Sequence, residues 1–345
     1  MSNVAPITAP SRSVLKRIFF ALLFLILLLA VAGFLYENVS EARDRRFNPM
    51  EGKLVNVSGL KMHIDCLGNA GPTVILDSGL GDSYVSWSKV QREIAKFVRV
   101  CSYDRAGLGY SDSSSRPRTS KDIAEELHAL LQAAQIAPPY ILVGHSMAGY
   151  DIRLYTSLYP QDVAGLVFVD ASHPDQENRF PPELKNMEGS WGREAEFLAY
   201  SHPIGIPRLL DFCDTNSVER AANCNFHSAL ENYAELKAFP QSAAQAASTG
   251  PFGDLPLVVL SHDPDKPSAE LPADLAKSVN DAWDKMQEEL SHLSTRGTRV
   301  IAKNSAHYIQ NDRPDVVIDG IRKVVTDVRS SLSISPSSTP APGKN

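Results

Sequence analysis

The sequence predicts an α/β protein: a mostly parallel eight-stranded sheet covered by helices, with a helical insertion in its second half. Three observations carry this. From Lys53 onward, short β-rich runs alternate with longer helical patterns. Between about His173 and Gly253 the alternation stops, and aromatic, Pro-rich and Ala-rich stretches follow without a buried-strand run. It then resumes and continues to a last helical pattern ending near Leu332.

Taken in order, the chain begins with a polar segment, 1–17, that carries Arg12, Lys16 and Arg17. The next 19 residues, Ile18 to Tyr36, hold no charge. At about 1.5 Å per residue such a helix nearly crosses a hydrocarbon core of roughly 30 Å. The expectation is an uncut transmembrane anchor, with Lys16 and Arg17 held cytoplasmic and the carboxyl-side domain exported, although Arg43, Arg45 and Arg46 oppose that bias. A cleaved signal peptide ending near Ala30-Val31-Ala32, giving a secreted protein, is the alternative. A polar linker, 37–52, leads to the core, expected at 53–172 and 254–332 around the insertion 173–253.

Expected strands are Lys53–Val57, Met62–Cys66, Thr73–Asp77, Val98–Tyr103, Tyr140–Val143, Gly165–Val169, Leu257–Ser261 and Arg299–Ala302. Expected helices are Ser120–Ala134, Met147–Tyr159, Asp274–Leu293 and Pro314–Leu332. The tail 333–345 is rich in Ser and Pro and too poor in large apolar side chains to offset its ordering entropy, so it is expected to be disordered.

Composition narrows the function. With 345 residues, 43% apolar and 21% charged, the chain can build a large core. Its formal net charge of -6 comes without a basic stripe, which argues against a nucleic-acid partner. Cys66, Cys101, Cys213 and Cys224 lack metal-site spacing, so no metal is expected.

The chemistry centres on YILVGHSMAGY, residues 140–150. A strand that runs into Gly144-His145-Ser146-Met147-Ala148-Gly149 and then into a helix has the pattern of a nucleophile elbow, G-x-S-x-G, with alanine in place of the second glycine. Such a turn presents Ser146 at the carboxyl edge of the sheet, where ligands bind. A serine hydroxyl needs a base, and the base needs an orienting carboxylate; in this geometry they follow in the order Ser, acid, His. His307, leaving the last strand in Lys303-Asn304-Ser305-Ala306-His307-Tyr308, is the expected base. Asp263 and Asp265 after the seventh strand, and Asp170 after the sixth, are candidate acids. The oxyanion donors are expected from the backbone amides of Met147 and of Leu80, in Ser78-Gly79-Leu80-Gly81-Asp82.

With these residues in place, the chain resembles the α/β-hydrolase superfamily over Lys53 to Leu332. Tyr103-Asp104-Arg105-Ala106-Gly107-Leu108-Gly109-Tyr110-Ser111-Asp112 resembles that superfamily's D-R-x-G-x-G-x-S loop, and Asp312-Arg313-Pro314 its entry to the last helix. The resemblance implies that Asp265 is the acid, because the orienting aspartate usually follows the seventh strand. It implies that 173–253 is a cap over the pocket, where Phe180, Trp191, Phe197, Tyr200, Phe212 and Tyr233 either line an apolar site or pack the cap's own core. Strand order in the family makes a Cys66–Cys101 bridge feasible, and Cys213 with Cys224 would close a short loop in the cap.

Serine at position 146 argues against the epoxide hydrolases and haloalkane dehalogenases, which carry aspartate there. The leading expectation is a cofactor-free serine hydrolase acting on a small-molecule carboxylic ester with an apolar acyl or aromatic part. A carbon–carbon hydrolase, a cofactor-free perhydrolase and a binding protein that keeps the fold without turnover are the alternatives.

Overall fold

The computed structural model describes residues 12–213, 216–266 and 271–334. The first eleven residues, and the tail from 335 on that is expected to be disordered, lie outside that range. The eight strands are β1 (Lys53–Val57), β2 (Leu60–Leu67), β3 (Thr73–Asp77), β4 (Val100–Tyr103), β5 (Tyr140–His145), β6 (Val163–Val169), β7 (Leu257–His262) and β8 (Gly297–Ala302). They form one sheet in the order β1-β2-β4-β3-β5-β6-β7-β8. β2 runs antiparallel to both β1 and β4, and every other pairing is parallel. β3, β4 and β5 are buried at every position, as expected of central strands covered on both faces.

The helices are α1 (Arg12–Phe47), α2 (Ser88–Ile94), α3 (Ser120–Ala133), α4 (Ala148–Leu158), α5 (Gln176–Arg179), α6 (Pro182–Ser201), α7 (Ile206–Leu209), α8 (Ser217–Asn223), α9 (Phe226–Ala247), α10 (Ala273–Ser291), α11 (Ile309–Asp312) and α12 (Pro314–Ile334). Thr119 caps α3 by accepting from the Asp122 N–H, which fixes where that helix starts. Two apolar cores form on opposite faces of the sheet. One joins Ile75, Leu142 and Phe168 to α3 and α4. The other joins Val74, Val143 and Val167 to α2 and to Val317, Ile321 and Val324 of α12. Alternation along β3, β5 and β6 divides the side chains between the two faces.

Helices α5 to α9 occupy the interval between β6 and β7. Two buried ionic groups fasten α9 to the core. Arg105 bonds Glu235 through Nε and Nη2 at 2.7 and 2.9 Å and Asp77 at 3.0 Å, and Arg118 bridges Glu126 and Glu231. Burial, only partly offset by Arg118, pushes the Glu231 carboxyl up to about 8.

The N-terminus differs from expectation. The residues read as a polar linker continue the apolar helix without a break to Phe47. Glu37, Ser40 and Asp44, spaced so as to share one face, are buried. Arg208, just beyond the start of α7, reaches Glu37 at 3.1 Å and Asp44 at 2.6 Å, and Arg220 of α8 also approaches Asp44. The cysteines pair as Cys66–Cys101, directly opposite each other on β2 and β4, and Cys213–Cys224.

Candidate active site

β5 ends at His145, and Ser146 takes a left-handed backbone (φ 54°) before α4 begins. A non-glycine residue holds that conformation only where its surroundings enforce it. Here the Ser146 N–H donates to the Val169 carbonyl at 3.2 Å, and the Ser146 carbonyl accepts from Ser172 and Gly149. The small flanking residues have a packing cause. A Cβ on Gly144 would stand 2.7 Å from the Ala148 carbonyl oxygen, and one on Gly149 would stand 2.6 Å from Cβ of Ala171. Ala148 itself fits fully buried, so the alanine in the elbow is accommodated.

β6 leads into Asp170, also left-handed (φ 46°), whose side chain is 0% exposed. Its Oδ2 lies 2.6 Å from Nδ1 of His307, the two meeting across 137 residues of sequence. Oδ1 accepts from the Trp283 indole at 2.9 Å and from the His262 N–H at 3.0 Å, and the His262 ring sits within 3.0 Å of both oxygens. Burial alone would raise this carboxyl. The His262 charge and the donors of both histidines overcome burial and hold it well below the usual carboxylate range. Burial likewise disfavours charge on His262, but Asp170 prevails and its pKa is raised.

The carboxylate at His307 is therefore Asp170 and not Asp265, which corrects the expected partner. The Asp265 side chain is 84% exposed and meets Lys303 at 3.1 Å. Asp263 caps the loop after β8, accepting from the Asn304 N–H at 2.8 Å and from Lys303 at 3.0 Å. That N–H, then Lys303, brings the Asp263 carboxyl down to about 2. Lys303 thus ties the loop after β7 outward across the end of β8, whereas the left-handed turn at Asp170 directs its carboxylate inward.

The histidine loop has a second support. His145 is buried beside it, ring centroids 4.8 Å apart, with Nε2 3.2 Å from the His307 carbonyl. Burial, then the neighbouring His307, lowers the His145 pKa to about 3, so its ring is neutral and Nε2–H is the donor to that carbonyl. Its Nδ1 faces the loop after β3, where a Cβ on Gly79 would come within 2.8 Å. On that loop's far side, Arg105 donates to the carbonyls of Ser78 and Gly79 at 2.5 and 2.6 Å. A trans peptide directs its C=O and N–H to opposite sides, so fixing the Gly79 carbonyl on Arg105 turns the Leu80 N–H away from it.

A family model for the alpha/beta hydrolase fold matches residues 72–253, just over half of the chain. The chain belongs to the α/β-hydrolase fold family. This hydrolase is 26% identical over 251 residues to the uncharacterised protein YqjL of Bacillus subtilis, covering 72% of this chain and 82% of that one. It spans 40% and 51% of two further curated relatives. Among solved structures it is similar to a thermophilic esterase from Thermogutta terrifontis (TM-score 0.60, 19% identity, 81% of this chain and 99% of that one). It is also similar to a haloalkane dehalogenase variant from Bradyrhizobium elkanii (TM-score 0.61, 18% identity, 81% and 97%). At those identities the likeness is one of fold.

The family match ends before β7, so the hydrolase's His307, Asp265 and Asp263 lie outside it. Of the residues singled out in the sequence, Ser146 and Met147 stand at the carboxyl end of β5, Leu80 follows β3, and His307 follows β8. These strand ends share one edge of the parallel part of the sheet. Sequence reasoning missed Trp283, His145 and His262. A histidine that ends a strand, on the sheet edge that carries the serine, is the signal that could have marked His262 and His145. The expected aromatic residues divide: Phe180 is buried against Trp283, whereas Trp191, Phe197, Tyr200 and Phe212 are exposed.

Proposed function

We propose that this hydrolase cleaves a carboxylic ester with an apolar acyl or aromatic part through an acyl-enzyme formed on Ser146. The Ser146 hydroxyl attacks the carbonyl carbon while His307 Nε2 takes its proton. Asp170, bonded to Nδ1 of His307, keeps the ring in the tautomer that leaves Nε2 free to accept, and then stabilises the imidazolium. The amides of Leu80 and Met147 receive the negative charge that develops on the carbonyl oxygen. His307 returns the proton to the leaving alcohol, and water, activated by the same imidazole, frees the acid and restores Ser146. The observation that carries this reading is the 2.6 Å contact between a fully buried Asp170 and His307 beside the Ser146 elbow.

The reading extends to location. α1 is apolar enough and long enough to cross a membrane, with a mean hydropathy of 3.1 in its most apolar window. With Arg12, Lys16 and Arg17 on its amino side, the proposed arrangement anchors the chain and exports the hydrolase domain. A fluorophosphonate probe tests the chemistry. The parent is expected to be labelled, and Ser146→Ala to escape labelling with its fold intact. An unlabelled, folded parent would instead favour a binding protein that keeps the fold.

A further inference from the structure

The path of α1 fixes where the insertion sits relative to any bilayer it crosses. The uncharged span ends at Tyr36. Within its last turn, Gly33 lies so close to the Ile204 carbonyl that a side chain there has no room. Gly205, in a left-handed conformation, faces Tyr36 at a distance that would put a Cβ 3.1 Å from its ring. One turn further on Glu37, and about two turns beyond it Asp44, are bonded to Arg208. The turn into α7 is therefore held level with the last residues of the span, where hydrocarbon gives way to headgroups. Around it the chain exposes Leu209 (64%), Leu210 (57%) and Phe212 (52%), with Phe197 and Tyr200 on the end of α6 that leads into the same turn. Large apolar side chains exposed together around one turn mark an interaction site, and aromatic residues concentrate at the membrane–water boundary.

We propose that the α6–α7 corner and the segment through Phe212 are a membrane-docking surface, buried in the leaflet at the carboxyl end of the α1 span. The occupant is that leaflet because α1 brings it there: the same helix that crosses the bilayer touches this corner at Gly33. The proposal rests on the reading of α1 as a membrane span and is independent of the ester chemistry. Docking of this kind seats apolar side chains about 5–10 Å into the boundary between headgroups and acyl chains.

The test uses the full chain in phosphatidylcholine nanodiscs. All four native cysteines are paired, so a single new cysteine is the only site for a thiol-reactive fluorophore. Labels are placed at Leu209→Cys, at Leu210→Cys and, as a control, at Lys323→Cys on α12. Docking predicts that nitroxide-bearing lipid quenches the labels at 209 and 210 several-fold more than the label at 323, and that aqueous iodide does the reverse. Alkaline carbonate extraction of parent protein from membranes reads the anchor separately. Protein retained by the membrane whose labels at 209 and 210 respond to iodide as the control does overturns the docking alone. Protein released by carbonate overturns the anchor and the docking with it. Labels shielded from both quenchers, in discs that hold more than one copy, assign the surface to a second copy of this chain and overturn the proposal.

Discussion

Asp170 accepts hydrogen bonds from the backbone of one neighbour and from three side chains, Trp283, His262 and His307, with none of its own surface left to water. Losing that charge should therefore be felt in catalysis first. Asp170→Asn is expected to lower kcat by about 10⁴, as in the serine-protease template, while circular dichroism stays native. Asp265→Asn, on an exposed carboxylate paired with Lys303, is expected to keep the parent rate. A collapse at 265 with activity kept at 170 would return the acid to the loop after β7. His262 gives a second expectation. Its folded pKa lies above the ordinary 6.5, so its contribution to stability is complete below that value and is lost as pH rises through the folded one. Thermal melts from about pH 6 to about pH 9 should show the parent losing more Tm than His262→Gln, and equal slopes would count against the pairing.

At the scale of elements, the arginines decide what is held together. Arg105 spans the loop after β3 and α9, and Arg208 spans α1 and the insertion. Arg208→Ala leaves Glu37 and Asp44 buried without that cation, a change that typically costs about 3–5 kcal/mol. Glu37→Leu/Asp44→Leu/Arg208→Met removes the charges together and is expected to recover most of the loss. Trypsin, which cuts after Arg43, Arg45 and Arg46, reads the effect: cleavage there should accelerate in Arg208→Ala and slow again in the triple variant. Equal cleavage in all three proteins would mean that the salt bridges do not hold this helix.

Across the whole molecule, two cross-links and one helix set the framework. The Cys66–Cys101 bridge joins residues 35 apart in sequence, and Cys213–Cys224 joins residues 11 apart. Chain-entropy arguments give the longer loop more stabilisation, within a typical 2–4 kcal/mol. Cys66→Ala/Cys101→Ala should lower the urea midpoint more than Cys213→Ala/Cys224→Ala, and four free thiols in non-reducing peptide maps would remove both bridges. Intact mass of membrane-fraction protein tests the anchor. A chain that starts at Met1 is expected, and one starting near Gly33 would mean a cleaved signal peptide. The buried carboxylates of α1 lie beyond that point, so a cleaved chain would keep its contacts with Arg208.

The eight strands, their alternation with helices, and the serine elbow can be read along the chain, because each depends on neighbours in sequence. Apolar runs of strand length make β3, β5 and β6, and glycines at 144 and 149 make the turn around Ser146. The place of His307 just beyond the last strand was legible for the same reason. The identity of its carboxylate partner was not, because three aspartates follow strands at that edge and sequence distance does not rank them. Tertiary structure chose Asp170: β6 and β7 lie side by side, a left-handed turn aims the side chain inward, and Trp283 and His262 arrive from distant segments to satisfy it. The continuation of α1 past Tyr36 was hidden for a related reason. Glu37, Ser40 and Asp44 read as a solvated linker until Arg208, far along the chain, supplies the cation that lets them be buried in a helix. Hydrophobic periodicity is a local property and can be read along the chain, whereas the pairing of buried charges depends on which loops the fold brings together.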